Sequence, residues 1–126
     1  MKSPLLLWLF LLASSAACGV AAEERDGIDY ATQVAPLFRK YCLACHNDAD
    51  REGKLSLESF DALNRGGEHG AVLVPNNSGV SRLVRVIRGD AEPKMPPKDN
   101  EAPTEKEIAI LASWIDRGAK GPDGAA

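Results

Sequence analysis

Basic clusters are missing from this chain. It carries 15 Lys and Arg against 18 Asp and Glu, a formal net charge of −3 at pH 7. No Lys/Arg-rich block and no aromatic-plus-basic pattern breaks that balance, so nucleic acid is not an expected partner. A second hydrophobic run is missing too. Past residue 22 nothing approaches the ~20 apolar residues that a spanning helix requires, so the mature domain is not expected to be an integral membrane protein. Internal repeats are absent, and no strand–helix–strand pattern is visible. Metal-binding side chains are scarce: two histidines, two methionines and three cysteines in 126 residues. Any site chemistry must rest on few groups.

Residues 1–22 read as an export signal. Lys2 supplies the positive start, Leu5 to Leu12 the apolar centre, and Ala13 to Ala22 the small residues of a cleavage region. Cleavage after Ala21 or Ala22 leaves a chain beginning at Glu23-Glu24, with Lys2 lost and 14 basic residues facing 18 acidic ones. The expected location is the periplasm or another extracytoplasmic space. Cys18 has two readings. Either it leaves with the signal, or it is a lipobox cysteine that becomes an acylated N-terminus, with Ser15 standing where leucine is usual. A lipid at Cys18 is the one membrane attachment expected. Residues 27–120 read as a single domain and 121–126 as a short flexible tail.

Cys42-Leu43-Ala44-Cys45-His46 concentrates most of the scarce ligands in one pentad. C-x-x-C-H reads as a covalent c-type haem attachment site. Cysteines three apart sit about one helical turn apart, so both sulfurs face the same way. Each then adds to one haem vinyl group. His46 directs its imidazole at the iron as the proximal ligand. Such attachment is completed outside the cytoplasm, in agreement with the leader. Other readings are narrower. A thioredoxin-like pair wants a βαβ setting. A zinc site wants four ligands, and Cys42, Cys45, His46 and His69 are the available set, with adjacent Cys45 and His46 awkward as tetrahedral co-ligands. A disulfide suits only an unmatured chain.

Met95 and His69 are the candidates for the iron's other face. Met95 is the single methionine left after the leader, in Lys94-Met95-Pro96-Pro97-Lys98. The prolines stiffen that loop, and a methionine among charges and prolines is a poor core filler. Met95 is therefore the favoured ligand. His69, between Glu68 and Gly70 in a glycine-rich loop, is expected to be solvent-exposed. A thioether opposite histidine raises the reduction potential. With both axial positions filled, no open site remains for a substrate. The expected function is one-electron transfer between a redox protein donor and acceptor, by a monomer that is not an enzyme. Two alternatives stay open: a gas-binding or sensing haem module with a labile Met95, and an accessory haem subunit of a larger redox complex. Haem propionates want partners, for which Arg82, Arg85, Arg88, Lys94 and Trp114 are candidates; for the arginines a solvated helix face is the competing reading.

Hydrophobic spacing places the elements. Val34, Leu37, Phe38, Tyr41 and Cys42 form an apolar helical stripe, starting near Thr32 or Gln33 and running into the pentad. Leu55-Ser56-Leu57 reads as extended. Ser59 caps a brief helix through Phe60 and Leu63, stopped by Gly66-Gly67. Ser81 is expected to cap a helix with Leu83, Val84 and Ile87 inward, ended by Gly89. Thr104-Glu105-Lys106-Glu107 is a capping box. It opens a last helix whose stripe is Ile108, Leu111, Ala112 and Ile115. The two terminal helices are expected to pack, with Phe38 against Trp114.

Several of these motifs occur in an order that resembles class I c-type cytochromes, and among them the planctomycete-type cytochrome c domain. They are Val34-Ala35-Pro36-Leu37-Phe38, the pentad, Gly53-Lys54-Leu55-Ser56-Leu57, Gly66-Gly67, Val74-Pro75, Ser81-Arg82-Leu83, Met95-Pro96-Pro97, and Trp114-Ile115-Asp116 before Gly118-Ala119. The resemblance spans about residues 27–120. Relatives commonly carry paired glycines before the L-x-L segment, where this chain has Glu52 and Gly53. The resemblance implies an all-α, single-domain cytochrome c fold, with N- and C-terminal helices packed around one covalent haem. It also implies attachment at Cys42 and Cys45, with His46 as proximal and Met95 as distal ligand.

Overall fold

The computed structural model describes residues 27–124. The export signal and Cys18 lie outside the described residues. Four α-helices follow one another: α1 (Ala35–Tyr41), α2 (Phe60–Arg65), α3 (Arg82–Arg88) and α4 (Glu105–Asp116). Among the described residues there is no strand, and one isolated bridge joins Gly67 to Gly70. The fold is all-α, as its periodicity predicts.

A π-helical turn, Tyr30–Val34, leads into α1. Its start lies earlier than Thr32 or Gln33. Asp29 makes it, because its carboxylate accepts from the Thr32 backbone N–H at 2.8 Å and from the Thr32 hydroxyl at 2.7 Å. A short acidic side chain satisfies N–H groups that have no partner in the first turn. Pro36 falls in the first turn of α1, where its missing N–H costs nothing. The expected stripe divides by burial: Val34 and Phe38 are buried, whereas Leu37, Tyr41 and Cys42 are half-buried.

The capping box of α4 forms as expected. Thr104 Oγ1 accepts from the Glu107 N–H at 3.3 Å, and Glu107 Oε2 accepts from the Thr104 N–H at 2.8 Å. Ile108, Leu111, Trp114 and Ile115 are buried on this helix. α1 meets α4 through the anticipated pair: the Phe38 and Trp114 rings lie 6.5 Å apart, edge to face. Tyr30 completes the cluster, 5.7 Å from Trp114 and 5.2 Å from Phe60. Each such pair contributes about 0.5–1.5 kcal/mol beyond its area burial. Nearer solvent, the Tyr41 hydroxyl donates to Glu107 Oε2 at 2.8 Å. Lys40 adds an ion pair to Glu101 at 3.1 Å.

α2 is capped by Ser59, whose hydroxyl accepts from the Ala62 N–H at 3.1 Å, and it stops at Gly66 with φ 72°. α3 buries Val86 as well as Leu83, Val84 and Ile87, and ends at Gly89 with φ 83°. Ser81 occupies the N-cap position of α3, yet its side chain does not cap. The hydroxyl accepts from the Val74 N–H and donates to the Asn77 carbonyl, both at 2.8 Å. It is fully buried and locks the preceding turn. That turn is also tied to the last helix. Asp116 accepts from the Ser78 N–H at 2.7 Å and from the Ser78 hydroxyl at 2.9 Å, and the Asn76 N–H donates to the Ile115 carbonyl at 2.8 Å.

The two ends of the described chain lie side by side. Gly27, Ile28, Trp114, Arg117 and Lys120 line one small recess. Gly121, assigned to the tail from sequence, is buried under the Phe60 ring so closely that a Cβ would collide with it.

Candidate functional site

The pentad leaves α1 as a run of turns. The Cys42 and Leu43 N–H groups both donate to the Phe38 carbonyl, at 2.9 and 3.0 Å, which closes the helix. The Cys45 and His46 N–H groups donate to the Cys42 carbonyl, at 3.2 and 3.0 Å. Asn47 knots the exit. Its amide donates to the Leu43 carbonyl at 2.9 Å, and its Oδ1 accepts from the Ala49 and Asp50 N–H groups at 2.9 and 2.8 Å. The chain then folds back. The Glu52 N–H donates to the Cys45 carbonyl at 3.1 Å, and the Leu57 N–H to the His46 carbonyl at 2.8 Å.

His46 gains a fixed ring by this return. Its Nδ1 lies 2.9 Å from the Glu52 carbonyl oxygen. A carbonyl only accepts, so Nδ1 carries the proton and the Nε2 lone pair is left for a metal. Such a bond sets both tautomer and ring orientation. Sequence reasoning missed it, because the partner is a backbone atom and has no residue signature.

Cys42, Cys45, His46 and Met95 line one cleft. Its apolar wall includes Leu55, Leu57, Val72, Leu83, Val86 and Ile87. Cys42 and Cys45 are free, half-buried thiols. Burial, with Cys45 beside it, pushes the Cys42 thiol up to about 12, so unmodified Cys42 stays protonated near neutral pH. Met95 is half-buried, and its N–H donates to the Val86 carbonyl of α3 at 2.9 Å. Pro93, Pro96 and Pro97 line the cleft beside it.

The rim carries the polar groups. His69 lines the cleft while its side chain remains 55 % exposed, with Nε2 3.6 Å from Glu68 Oε1. Arg82 also lines the cleft, and its Nη2 donates to the Glu92 carbonyl at 2.6 Å. Arg85 turns to the Asp90 carbonyl at 3.1 Å, and Arg88 is exposed outside the cleft. Trp114 does not reach this site. It belongs to the core between α1 and α4, and its Nε1–H donates to the Lys120 carbonyl at 2.8 Å. Among the described residues no group of three or more His, Cys, Asp or Glu side chains converges to hold a metal ion, so the four-residue zinc set is not assembled.

The donor set fits covalently bound haem. Two thiols one turn apart, an imidazole with its distal nitrogen free, and a thioether share an apolar cleft too poor in polar groups for a hydrated cation. An all-helical frame carrying this set at C-x-x-C-H defines a cytochrome c domain. Residues 42–99 match the family described as Planctomycete cytochrome C, and this stretch is a cytochrome c domain of that type. The match runs from the first pentad cysteine to the loop beyond Met95. No curated protein and no solved structure matches the chain. Cytochrome c domains carry covalently bound haem c, and their activity is haem-based electron transfer.

Proposed function

We propose that this chain is an exported carrier of single electrons with one haem c, held by thioethers at Cys42 and Cys45 and ligated by His46 Nε2 and Met95. The observation that carries this reading is the shared cleft. His46, with Nδ1 occupied by Glu52, and Met95, pinned to α3 through Val86, line the same apolar cavity as both cysteines. Bound haem supplies a one-electron couple at its iron. The chain's residues do the rest. Leu55, Leu57, Val72, Leu83, Val86 and Ile87 keep water from the cleft and disfavour the more highly charged ferric state. The Glu52 carbonyl holds the imidazole at one angle. The Val86 carbonyl and the neighbouring prolines hold the thioether in a stiff loop, so little rearrangement accompanies electron exchange. The domain acts as a non-enzymatic carrier between a donor and an acceptor redox protein, as a monomer in the periplasm or another extracytoplasmic space. Cys18 is either removed with the leader or acylated.

Purified exported protein tests this directly. The pyridine haemochrome spectrum should be that of thioether-bound haem, and the haem should resist acid–acetone extraction. Freely extracted haem, or zinc in place of iron, overturns the reading. A ferrous spectrum unchanged by carbon monoxide supports electron transfer, and a ready carbon monoxide complex makes the domain a gas-binding module. Stable co-purification with a larger redox assembly makes it an accessory subunit.

A further inference from the structure

His69 stands on the cleft rim for structural reasons. Gly66, with φ 72°, and Gly67 turn the chain out of α2. Gly67 and Gly70 exchange N–H···O bonds of 3.0 Å, and the Glu68 N–H donates to the Gly53 carbonyl at 2.8 Å. A Cβ on Gly67 would lie 2.7 Å from that same Gly53 oxygen. The tip of the loop is therefore held against the segment that presents the Glu52 carbonyl to His46. This arrangement keeps a half-solvated imidazole at the mouth of the cavity that His46 and Met95 also line.

The sequence holds one other histidine, His46. Its Nδ1 is engaged by Glu52 and its Nε2 is assigned to iron. His69 is thus the one imidazole left to change charge between pH 5 and 8. Its charged surroundings are Glu68 at 3.6 Å on its own loop, Glu52 and Lys54 on the segment packed against that loop, and Arg82 from α3.

Resting on the haem reading above, we propose that His69 is a proton-binding site coupled to the electron. On reduction, one electron arrives from the donor protein and converts ferric to ferrous iron, and His69 takes a proton from water. On oxidation the electron leaves to the acceptor and His69 returns the proton. A proton on the rim opposes the positive charge of the ferric state and favours the ferrous one. The coupling is reciprocal, so reduction tightens proton binding at His69 by about two- to tenfold. The sign follows. The midpoint potential is higher where His69 is protonated and falls as pH rises through the histidine range.

The test uses the mature holoprotein and its His69→Gln variant, each with covalent haem verified by spectrum. Midpoint potentials are measured at half-unit steps from pH 5 to 8. The parent should show a decline with one inflection, and His69→Gln should be level across that interval with its absorption spectrum unchanged. The His69 ring signals, followed by NMR, should titrate at higher pH in the ferrous than in the ferric protein. A level parent curve, an inflection kept by His69→Gln, or identical NMR titrations in the two states overturns the proposal and leaves the haem reading standing. Absence of covalent haem overturns both.

Discussion

The Nδ1 of His46 and the backbone carbonyl of Glu52 lie 2.9 Å apart, and this bond fixes the imidazole without any side-chain partner. The same Glu52 returns its N–H to the Cys45 carbonyl at 3.1 Å. The pentad is thus clasped by one peptide unit on each side of one residue. A ring held by main chain tolerates side-chain change at position 52 better than a ring held by a carboxylate would. The electronic tuning of the ligand lives in the loop's shape.

Met95→Ala should keep covalent haem, because attachment depends on Cys42 and Cys45. The midpoint potential should fall, and the ferrous protein should bind carbon monoxide. Redox titration and visible spectroscopy check this. A variant that matches the parent in both properties removes Met95 as the ligand.

Gly67→Ala should destabilise the domain by about 1–3 kcal/mol, the usual range for overpacking. The added methyl would meet the Gly53 oxygen at 2.7 Å and Leu55 Cβ at 3.0 Å. Thermal unfolding monitored by circular dichroism should show the loss. An unchanged midpoint would mean that the two segments do not press on each other.

Ser81→Ala should cost about 1–3 kcal/mol, the penalty for leaving buried polar groups unpaired. The substitution strands the Val74 N–H and the Asn77 carbonyl, which the hydroxyl now serves at 2.8 Å each. Denaturant unfolding measures it. Amide exchange at Val74 should accelerate along with the loss, which mere fraying of the first turn of α3 would not cause.

Tyr41→Phe should weaken the link between α1 and α4 in a pH-dependent way. The Glu107 carboxyl is held below its ordinary value of 4.5, first by the Thr104 backbone N–H and then by the Tyr41 hydroxyl. A depressed carboxyl stabilises the fold above its unfolded value, and that contribution is lost as pH falls through the folded one. The stability gap between parent and variant should therefore be full at pH 7 and narrow below about pH 4.5. Unfolding curves between pH 3 and 7 test it, and a gap that widens in acid contradicts the assignment.

Local rules were legible where local chemistry decides. Thr104 and Glu107 cap α4 as their spacing predicts, Ser59 caps α2, and Gly89 ends α3. The pentad and Met95 were legible as candidates because so few ligand-bearing residues exist. What escaped was long-range. Glu107 reads as half of a capping box, but its bond to Tyr41 crosses 66 positions of sequence. Ser81 looks like a cap by position, but a buried turn claims its hydroxyl. Gly66-Gly67 reads as a helix stop, and nothing in a glycine pair says that Gly53 will press against it. Trp114, a polar-tipped ring near the end of the chain, was offered to the propionates, but the apolar interior took it. His69 was expected in solvent. It is more than half exposed, and the bridged loop also keeps it on the rim.

Gly27 and Lys120 border the same recess, so the polypeptide enters and leaves this domain at one doorway. A unit built this way hangs from a longer polypeptide like a pendant. It can be grafted into a surface turn of a host protein without prising the host apart, and its redox cleft would still face outward from the graft.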